Sequence, residues 1–459
     1  MTAATADTAL QKDTGFIGHP WGLAWLSGSE VWERFSYYGM QALLVLYMTK
    51  QLLLPGHIEH VAGFGPFRTA IAAVYGPLSP AALASIIFGL YAGFVYVTPL
   101  LGGLLADQVL GRTRAIVAGA LLMVAGHFLM AFEFSFLLAI SCLLVGIGLF
   151  KGNIATQVGE LYAADDPRRA DGFQIYFFGI QLAVIASPFV CGTLGEVYGW
   201  HWGFGAAGVG MLFGLVVYLI GRPWLPPDRK AAAPAERVAR AKFTKRDWTS
   251  IVVLVALVPV LALGSIGNQQ IFNSYLTWGE ANFQREFFGM TMPVTWLISL
   301  DAVMGATTIA LSVVFWRWWA TRHKDPDEVT KLAIGMTLSA AAPLMLALAA
   351  IVEAATGQKA SLGWALAFEV LNDFGFSNVF PVGLALFSRA APKSLAGLII
   401  GVYYLHLFVG NMMVGWLGTL LEKMPAPAFW GMHAAIIAVA AVIMLIIRGA
   451  AGKVLAPTS

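Results

Sequence analysis

The sequence is organised into blocks of twenty or more mostly apolar residues, separated by short charged or Pro/Gly-containing stretches. As a helix, each block is long enough to cross about 30 Å of hydrocarbon. Of the 459 residues, 58% are hydrophobic and only 12% are charged, which is about half the charged fraction of a typical soluble domain. These features exclude a soluble enzyme, a disordered chain and a nucleic-acid-binding protein, and they predict a polytopic membrane protein.

Twelve membrane-spanning helices are predicted from the apolar blocks and their polar boundaries. They cover residues 22–50, 81–106, 113–132, 135–162, 172–194, 202–222, 249–275, 291–319, 331–352, 361–388, 394–421 and 428–448. Arginine and lysine concentrate in the loops that follow the even-numbered spans. The positive-inside rule therefore predicts that both termini are cytoplasmic.

One long charged linker, from Arg222 to Asp247, divides the chain into two halves of six spans. The predicted segments are a disordered cytoplasmic tail (1–21), an N-terminal six-helix bundle (22–222), a cytoplasmic linker (223–248), a C-terminal six-helix bundle (249–448) and a second cytoplasmic tail (449–459). Two bundles with a substrate site between them near the midplane are typical of secondary transporters. A membrane-embedded enzyme or scaffold with twelve spans would show the same hydropathy.

The first span carries several ionisable and polar residues on one helical face. An α-helix turns by about 100° per residue, which places six polar side chains within one arc of about 140°. These residues are Glu30, Glu33, Arg34, Tyr37, Tyr38 and Gln41. Ionisable groups facing lipid are costly, so this face is predicted to point into the bundle and to mark an ion or substrate pathway. The glutamates can exchange protons whereas Arg34 cannot, as a proton-coupled cycle requires. A structural ion-pair cluster is the alternative interpretation.

The string Glu-x-x-Glu-Arg-Phe-x-Tyr-Tyr-Gly at residues 30–39 resembles the first-helix signature of the proton-dependent oligopeptide transporters, a branch of the major facilitator superfamily. Residues 98–112, at the turn between spans 2 and 3, are similar to the cytoplasmic loop motif of that superfamily. This similarity implies a gating role for Asp107 and Arg112, because a carboxylate at a helix end beside arginines can hold a gate closed by charge and dipole interactions.

Three further positions resemble functional positions of the same family. Residues 146–153 are similar to its fourth helix and place Lys151 at the position of a functional lysine. Lys151 lies deep in its span and therefore needs a carboxylate partner. Residues 173–181 resemble the fifth-helix signature, with Gln181 where the family usually has asparagine. Tyr91 aligns with a tyrosine that faces the family's cavity, although a packing role is the alternative.

The second half departs from the family pattern at its acidic positions. Residues 267–270, Gly-Asn-Gln-Gln, contain no acid where the family typically has a span 7 carboxylate, and Asp301 replaces the usual asparagine of span 8. Phe376 stands in place of the span 10 glutamate that meets a peptide's N-terminus. Glu369 and Asp373 lie upstream on the same helical face, so Asp373 is predicted to take over that role. An acid hydrogen-bonded within the bundle is the alternative.

The resemblance implies an all-α membrane protein with the major facilitator fold that imports di- and tripeptides by alternating access, with no catalytic residues. The proton-coupling residues that it implies are Glu30, Glu33, Arg34, Lys151 and Asp301. The implied substrate-binding residues are Arg34, Tyr37, Tyr38, Tyr91, Lys151, Gln181, Asn268, Asp301, Asp373 and Tyr403. The expected driving force is a proton gradient, with no metal or other cofactor.

The expected partners are short peptides, protons and the lipid bilayer of the plasma (inner) membrane, and the protein is expected to function as a monomer without binding nucleic acid. Because the second-half carboxylates are altered, a proton-coupled transporter of the same family for a different small solute is the first alternative. A membrane-embedded enzyme or receptor is the second. It predicts a reactive His/Asp/Ser cluster at one membrane face, and the sequence shows none.

Overall fold

The computed structural model describes residues 13–163, 165–228, 244–392 and 395–455, and most of these residues are helical. The α-helices are α1 (Trp21–Tyr47), α2 (Phe64–Tyr75), α3 (Pro80–Leu105), α4 (Arg112–Leu129), α5 (Phe136–Glu160), α6 (Arg168–Ser187), α7 (Trp200–Gly221), α8 (Lys245–Gly264), α9 (Ile266–Gln269), α10 (Ser274–Asn282), α11 (Trp296–Ala320), α12 (Glu328–Thr356), α13 (Leu362–Ala390), α14 (Ala396–Gly418) and α15 (Ala426–Leu455). The strands β1 (Glu286–Phe287) and β2 (Met290–Thr291) pair antiparallel as a short hairpin before α11.

Within the described ranges, eleven helical segments are long and apolar enough to cross a membrane. They contain α3 to α8 and α11 to α15, and each corresponds to one predicted span. Helix α1 is not among them. Its 27 residues are about 40 Å long, but three ionisable residues in its centre lower its hydropathy. The membrane-embedded helical fold is therefore confirmed, and the twelfth span stays a prediction.

The predicted seventh span, 249–275, is not one continuous helix. Helix α8 ends at Gly264, and Asn273 leaves the helical region with φ −126° and ψ −102°. Side chains replace the lost backbone hydrogen bonds at this break: the Asn273 amide donates to the Val414 carbonyl at 3.3 Å, and the Gln270 side chain accepts from the Ser274 N–H at 3.2 Å. Asparagine competes with helical hydrogen bonding in this way, and neighbouring helices make the break tolerable within a membrane.

Residues 13–20, which the sequence assigns to a disordered tail, make defined contacts in the structure. The Asp13 carboxylate accepts hydrogen bonds from the backbone N–H groups of Gly15 and Trp21, at 2.9 and 2.8 Å. Arg168 donates to the Asp13 and Gly18 carbonyls at 3.2 and 3.1 Å. These contacts connect the start of α1 to the start of α6. Residues 1–12 lie outside the described ranges.

Other predicted boundaries also differ from the structure. Helix α2 forms in the loop after the first span, where no helix was predicted, and α15 continues to Leu455, into the predicted C-terminal tail. Residues 456–459 are outside the described ranges, as are residues 229–243 of the predicted linker. The end of that linker is helical, because a capping box between Thr244 and Asp247 begins α8 at Lys245.

The described residues form two compact units. The first contains residues 13–77 and 97–228, and the second contains residues 78–96 and 244–455. The boundary at Tyr96 divides α3, so its first part belongs to the second unit and its last part to the first. Each part of α3 makes a close contact with another helix of its own unit, and a glycine lies at each contact.

The glycine contacts of α3 leave no room for a side chain. In the second unit, a Cβ added at Gly89 would lie 2.7 Å from both the Asn411 carbonyl oxygen and the Gly415 Cα. In the first unit, a Cβ at Gly102 would overlap the backbone carbonyl of Gly148 on α5. Small residues that allow such close backbone approach are characteristic of helix packing in membranes.

We therefore expect Gly102→Ala to reduce the yield of folded protein and its thermal stability in detergent, because the overlapping atoms belong to the backbone and cannot move aside cheaply. Gly103→Ala is the matched control, since a Cβ there meets nothing within 4 Å and alanine is the better helix former by about 1 kcal/mol. Equal melting temperatures for the two variants would contradict this account of the packing.

Candidate functional site

A buried ion-pair cluster forms on α1 in the first unit. Glu30, Glu33 and Arg34 are only 2%, 0% and 3% exposed. The Arg34 guanidinium makes a bidentate ion pair with the Glu33 carboxylate, in which Nη2 donates to Oε1 at 2.6 Å and Nε donates to Oε2. The same Nε lies 3.4 Å from Glu30 Oε1. The polar face of α1 is thus buried in the protein, as its helical arc predicts.

Aromatic rings and a second cation surround this ion-pair cluster. The Arg34 Cζ lies 4.9 Å from the centroid of the Tyr37 ring and 6.0 Å from that of Tyr38. Lys151 on α5 interacts electrostatically with both glutamates and with Arg34, and Tyr176 on α6 interacts with Glu30. Two acids and two cations therefore balance one another in the interior of the first unit, where an unbalanced charge would be costly.

The predicted gating residues are also close together. Asp107 lies in the π-helical turn Ala106–Leu110 that follows α3, and Arg112 is the first residue of α4. Their side chains approach to 3.4 Å between Nη2 and Oδ1. Arg112 makes a closer ion pair with Glu160 at the end of α5. The loop motif did not indicate Glu160, because this contact joins residues 48 positions apart in the chain.

The second unit contains an acid cluster formed by Asp301, Glu369 and Asp373. Asp301 lies on α11, and the other two lie one turn apart on α13, which packs against α11. The carboxyl groups of Asp301 and Asp373 are within hydrogen-bonding range of each other. The Tyr275 hydroxyl on α10 donates to Glu369 Oε1 at 2.7 Å. Sequence reasoning noted Glu369 but not as a site residue, and it missed Tyr275, for which the sequence carries no local signal.

The remaining predicted substrate residues are more dispersed. Asn268 lies in α9, beside the break in the seventh span, and its side chain accepts a hydrogen bond from Gln269 at 3.1 Å. Gln181 is half-buried on α6, and Tyr91 is buried on the part of α3 that belongs to the second unit. Neither the acid cluster nor the α1 cluster includes Asn268 or Gln181 in the described structure.

Tyr403 has the environment of a core residue. It is fully buried in an apolar cluster of the second unit, and its ring centroid lies 5.1 Å from that of Phe387. Its hydroxyl donates to the backbone carbonyl of Phe380 at 2.5 Å. The structure therefore does not bring Tyr403 to the acid cluster, and its contact with substrate stays a prediction.

The sequence matches the model of the POT family over residues 113–246 and 228–432. The chain belongs to the POT family. The family predicted from the motifs of α1, α3 and α5 is thereby confirmed, and it is a family of transporters and not of enzymes.

Similar proteins include the "Peptide transporter YePEPT" of Yersinia enterocolitica, which is 28% identical over 94% of each chain. A "Di-/tripeptide transporter" of Lactococcus lactis subsp. cremoris is 26% identical over 94% of this chain and 96% of its own. A crystal structure of peptide transporter POT in complex with sulfate aligns over 99% of both chains with a TM-score of 0.84 at 23% identity. This last similarity shows that the chain has the fold of a POT transporter.

The α1 cluster predicts a specific pattern of stability changes. Arg34→Met removes the guanidinium and leaves Glu33 buried beside an apolar side chain, so we expect a loss of about 3 kcal/mol or more in the free energy of unfolding. Adding Glu33→Gln removes the uncompensated charge and is expected to restore part of that loss. Thermal unfolding in detergent measures both effects. A double variant no more stable than Arg34→Met would show that the pair is not the source of the loss.

Proposed function

We propose that this protein is a proton-coupled symporter that imports di- and tripeptides by alternating access. In this proposal it is a multi-pass protein of the plasma membrane, with twelve spans and cytoplasmic termini, and it acts as a monomer. Its membership of the POT family, with relatives named as peptide transporters, supports transport of peptides. The buried, charge-balanced cluster of Glu30, Glu33, Arg34 and Lys151 is the observation that carries the coupling mechanism.

A short peptide is a zwitterion, and the two units offer side chains of the matching charge. Arg34 and Lys151 of the first unit are the proposed partners of the peptide carboxylate, because a guanidinium binds a carboxylate with two parallel hydrogen bonds. Asp301 and Asp373 of the second unit are the proposed partners of the amine. The proposed contacts to the peptide backbone come from the tyrosyl and amide side chains of Tyr37, Tyr38, Tyr91, Gln181 and Asn268.

Coupling follows from competition for Arg34. In the described structure its guanidinium is occupied by Glu33. A peptide carboxylate that binds Arg34 displaces Glu33, and an unpaired buried carboxylate takes up a proton more readily. When the peptide leaves, the ion pair re-forms and the proton is released. Asp107 and Arg112 are proposed to hold the gate closed through the attraction of their opposite charges. Glu160 is a further ion-pair partner of Arg112.

The proposal predicts concentrative uptake of labelled tri-alanine into proteoliposomes under an inward proton gradient and a negative-inside potential. Uptake is expected to collapse when a protonophore is added, because the electrochemical gradient of protons, made up of the pH difference and the potential, is the proposed driving force. Folded protein that gives no uptake of tri-alanine would refute peptide import and point to a different small solute, which a panel of amino acids and organic anions would then identify.

Glu33→Gln tests the coupling step. We expect this variant to lose proton-driven accumulation but to retain peptide binding, measured as counterflow exchange without a gradient, since glutamine cannot carry the proton. Glu286→Gln is the matched control, because Glu286 lies exposed on β1. Wild-type accumulation by Glu33→Gln would remove this carboxylate from the mechanism.

A further inference from the structure

The acid cluster of the second unit lacks the balancing cations that the α1 cluster contains. Among the described residues, no lysine or arginine forms an ion pair with Asp301, Glu369 or Asp373. Glu369 is fully buried and Asp373 is 4% exposed. Three acids on transmembrane helices without a cation must be neutralised either by protons or by a cationic ligand.

Several polar atoms at this cluster have no hydrogen-bond partner within the described chain. Each acid leaves one buried oxygen unpaired: Asp301 Oδ1, Glu369 Oε2 and Asp373 Oδ2. The side chain of Asn372, which is fully buried and interacts with Asp373, has neither its amide nitrogen nor its oxygen paired. Buried polar atoms are normally satisfied, so the four unpaired acceptor oxygens, three from the carboxyl groups and one from the Asn372 amide, point to a ligand that donates several hydrogen bonds.

The geometry favours an organic ammonium group over a metal ion. Within the described residues, no group of acidic, histidine or cysteine side chains is arranged to hold a metal. Gly305 lies one turn along α11 from Asp301. A Cβ added at Gly305 would lie 3.9 Å from the carboxyl group of Asp373, so the glycine leaves space beside that carboxyl group. An ammonium group supplies three N–H donors and a positive charge to such a set of oxygens.

We propose that the acid cluster selects peptides that carry two ammonium groups at the N-terminal end, which are peptides whose first residue is lysine or a similar basic residue. This inference rests on the proposed peptide transport. Asp301 and Asp373 bind the α-amine, and Glu369, held by Tyr275, binds the side-chain ammonium. Glu369 and Asp373 lie about 6 Å apart along α13, a separation that the flexible stem of lysine can cover.

The proposed selectivity among peptides follows from how many of the three acids each peptide can neutralise. A peptide with one amine neutralises one carboxylate and leaves two acids that need protons. A peptide with two ammonium groups neutralises two carboxylates and leaves one acid to be neutralised by a proton. The second ammonium group also gives Glu369 Oε2 the hydrogen bond that it lacks in the described structure. A charge-assisted hydrogen bond of this kind corresponds to about tenfold or more in affinity.

Competition against labelled tri-alanine uptake tests the inference with unmodified protein. Lys-Ala is expected to compete about tenfold better than both Ala-Ala and Ala-Lys. Ala-Lys has the same net charge as Lys-Ala but carries its second ammonium at the other end, so it controls for general attraction of cations. If Ala-Ala competes and Lys-Ala is no better than Ala-Lys, this inference fails while peptide transport stands. If no peptide competes or is taken up, the proposed function itself fails and the inference fails with it.

Glu369→Gln then assigns the selectivity to its side chain. The tenfold ratio of Lys-Ala to Ala-Ala is expected to fall to about one, because glutamine has no charge with which to bind the second ammonium. Glu353→Gln on α12 is the matched control and keeps the ratio, since Glu353 is half-exposed and lies outside the acid cluster. A full tenfold ratio in folded Glu369→Gln would overturn the assignment. The comparison of dipeptides on the wild type decides the proposal even if this variant does not fold.

Discussion

The high cost of an uncompensated charge inside a bilayer is the constraint on which the polar architecture of this protein depends. In the first unit, the positive charges of Arg34 and Lys151 compensate the negative charges of Glu30 and Glu33. The bidentate ion pair between Arg34 and Glu33 is the closest contact of this cluster. Such a pair is stable when complete and strongly destabilising when one partner is removed. In the proposed mechanism, a ligand carboxylate therefore replaces Glu33 only if a proton arrives to neutralise the displaced acid.

The helical backbone of the seventh span is interrupted where polar side chains take up positions that a regular helix does not provide. The seventh span breaks at Asn273, and α10 begins again at Ser274. This restart places Tyr275 with its hydroxyl on Glu369 and its ring stacked on Phe368 at a centroid distance of 4.8 Å. A continuous helix over 249–275 would orient Tyr275 differently. Broken spans that position ligand-binding groups are a recurrent feature of secondary transporters.

The sequence predicted the helices and the α1 cluster well because their signals are local. Apolar block length defines a span, and the spacing of Glu30, Glu33 and Arg34 defines one helical face. Contacts between distant residues gave no such signal: Arg112 with Glu160, Tyr176 with Glu30, and Tyr275 with Glu369 each depend on how helices pack. The break at Asn273 was missed for a related reason, since side chains of neighbouring segments, including Ser85, stabilise it.

Family alignment indicated one position whose surroundings are those of a packed core. Tyr403 occupies the place of a family aromatic residue, yet it lies fully buried in an apolar core with its hydroxyl satisfied by a backbone carbonyl. Conversely, Glu369 belongs to no aligned motif, and the role proposed for it rests on its burial and on an oxygen that no described residue satisfies. In the second unit, unsatisfied buried polarity thus adds a candidate residue that the family alignment does not indicate.

The two units therefore differ in how a ligand must enter their charged clusters. In the proposed mechanism, binding at α1 requires an existing ion pair to be broken, whereas no cation among the described residues pairs with the acid cluster. Under the proposed mechanism, a peptide amine binds the acid cluster without disrupting a salt bridge, while a peptide carboxylate binds Arg34 only in exchange for Glu33. In the proposed mechanism only the second of these steps leaves a carboxylate without its partner, so the carboxylate end of the peptide, and not its amine, is the proposed trigger of proton uptake at α1.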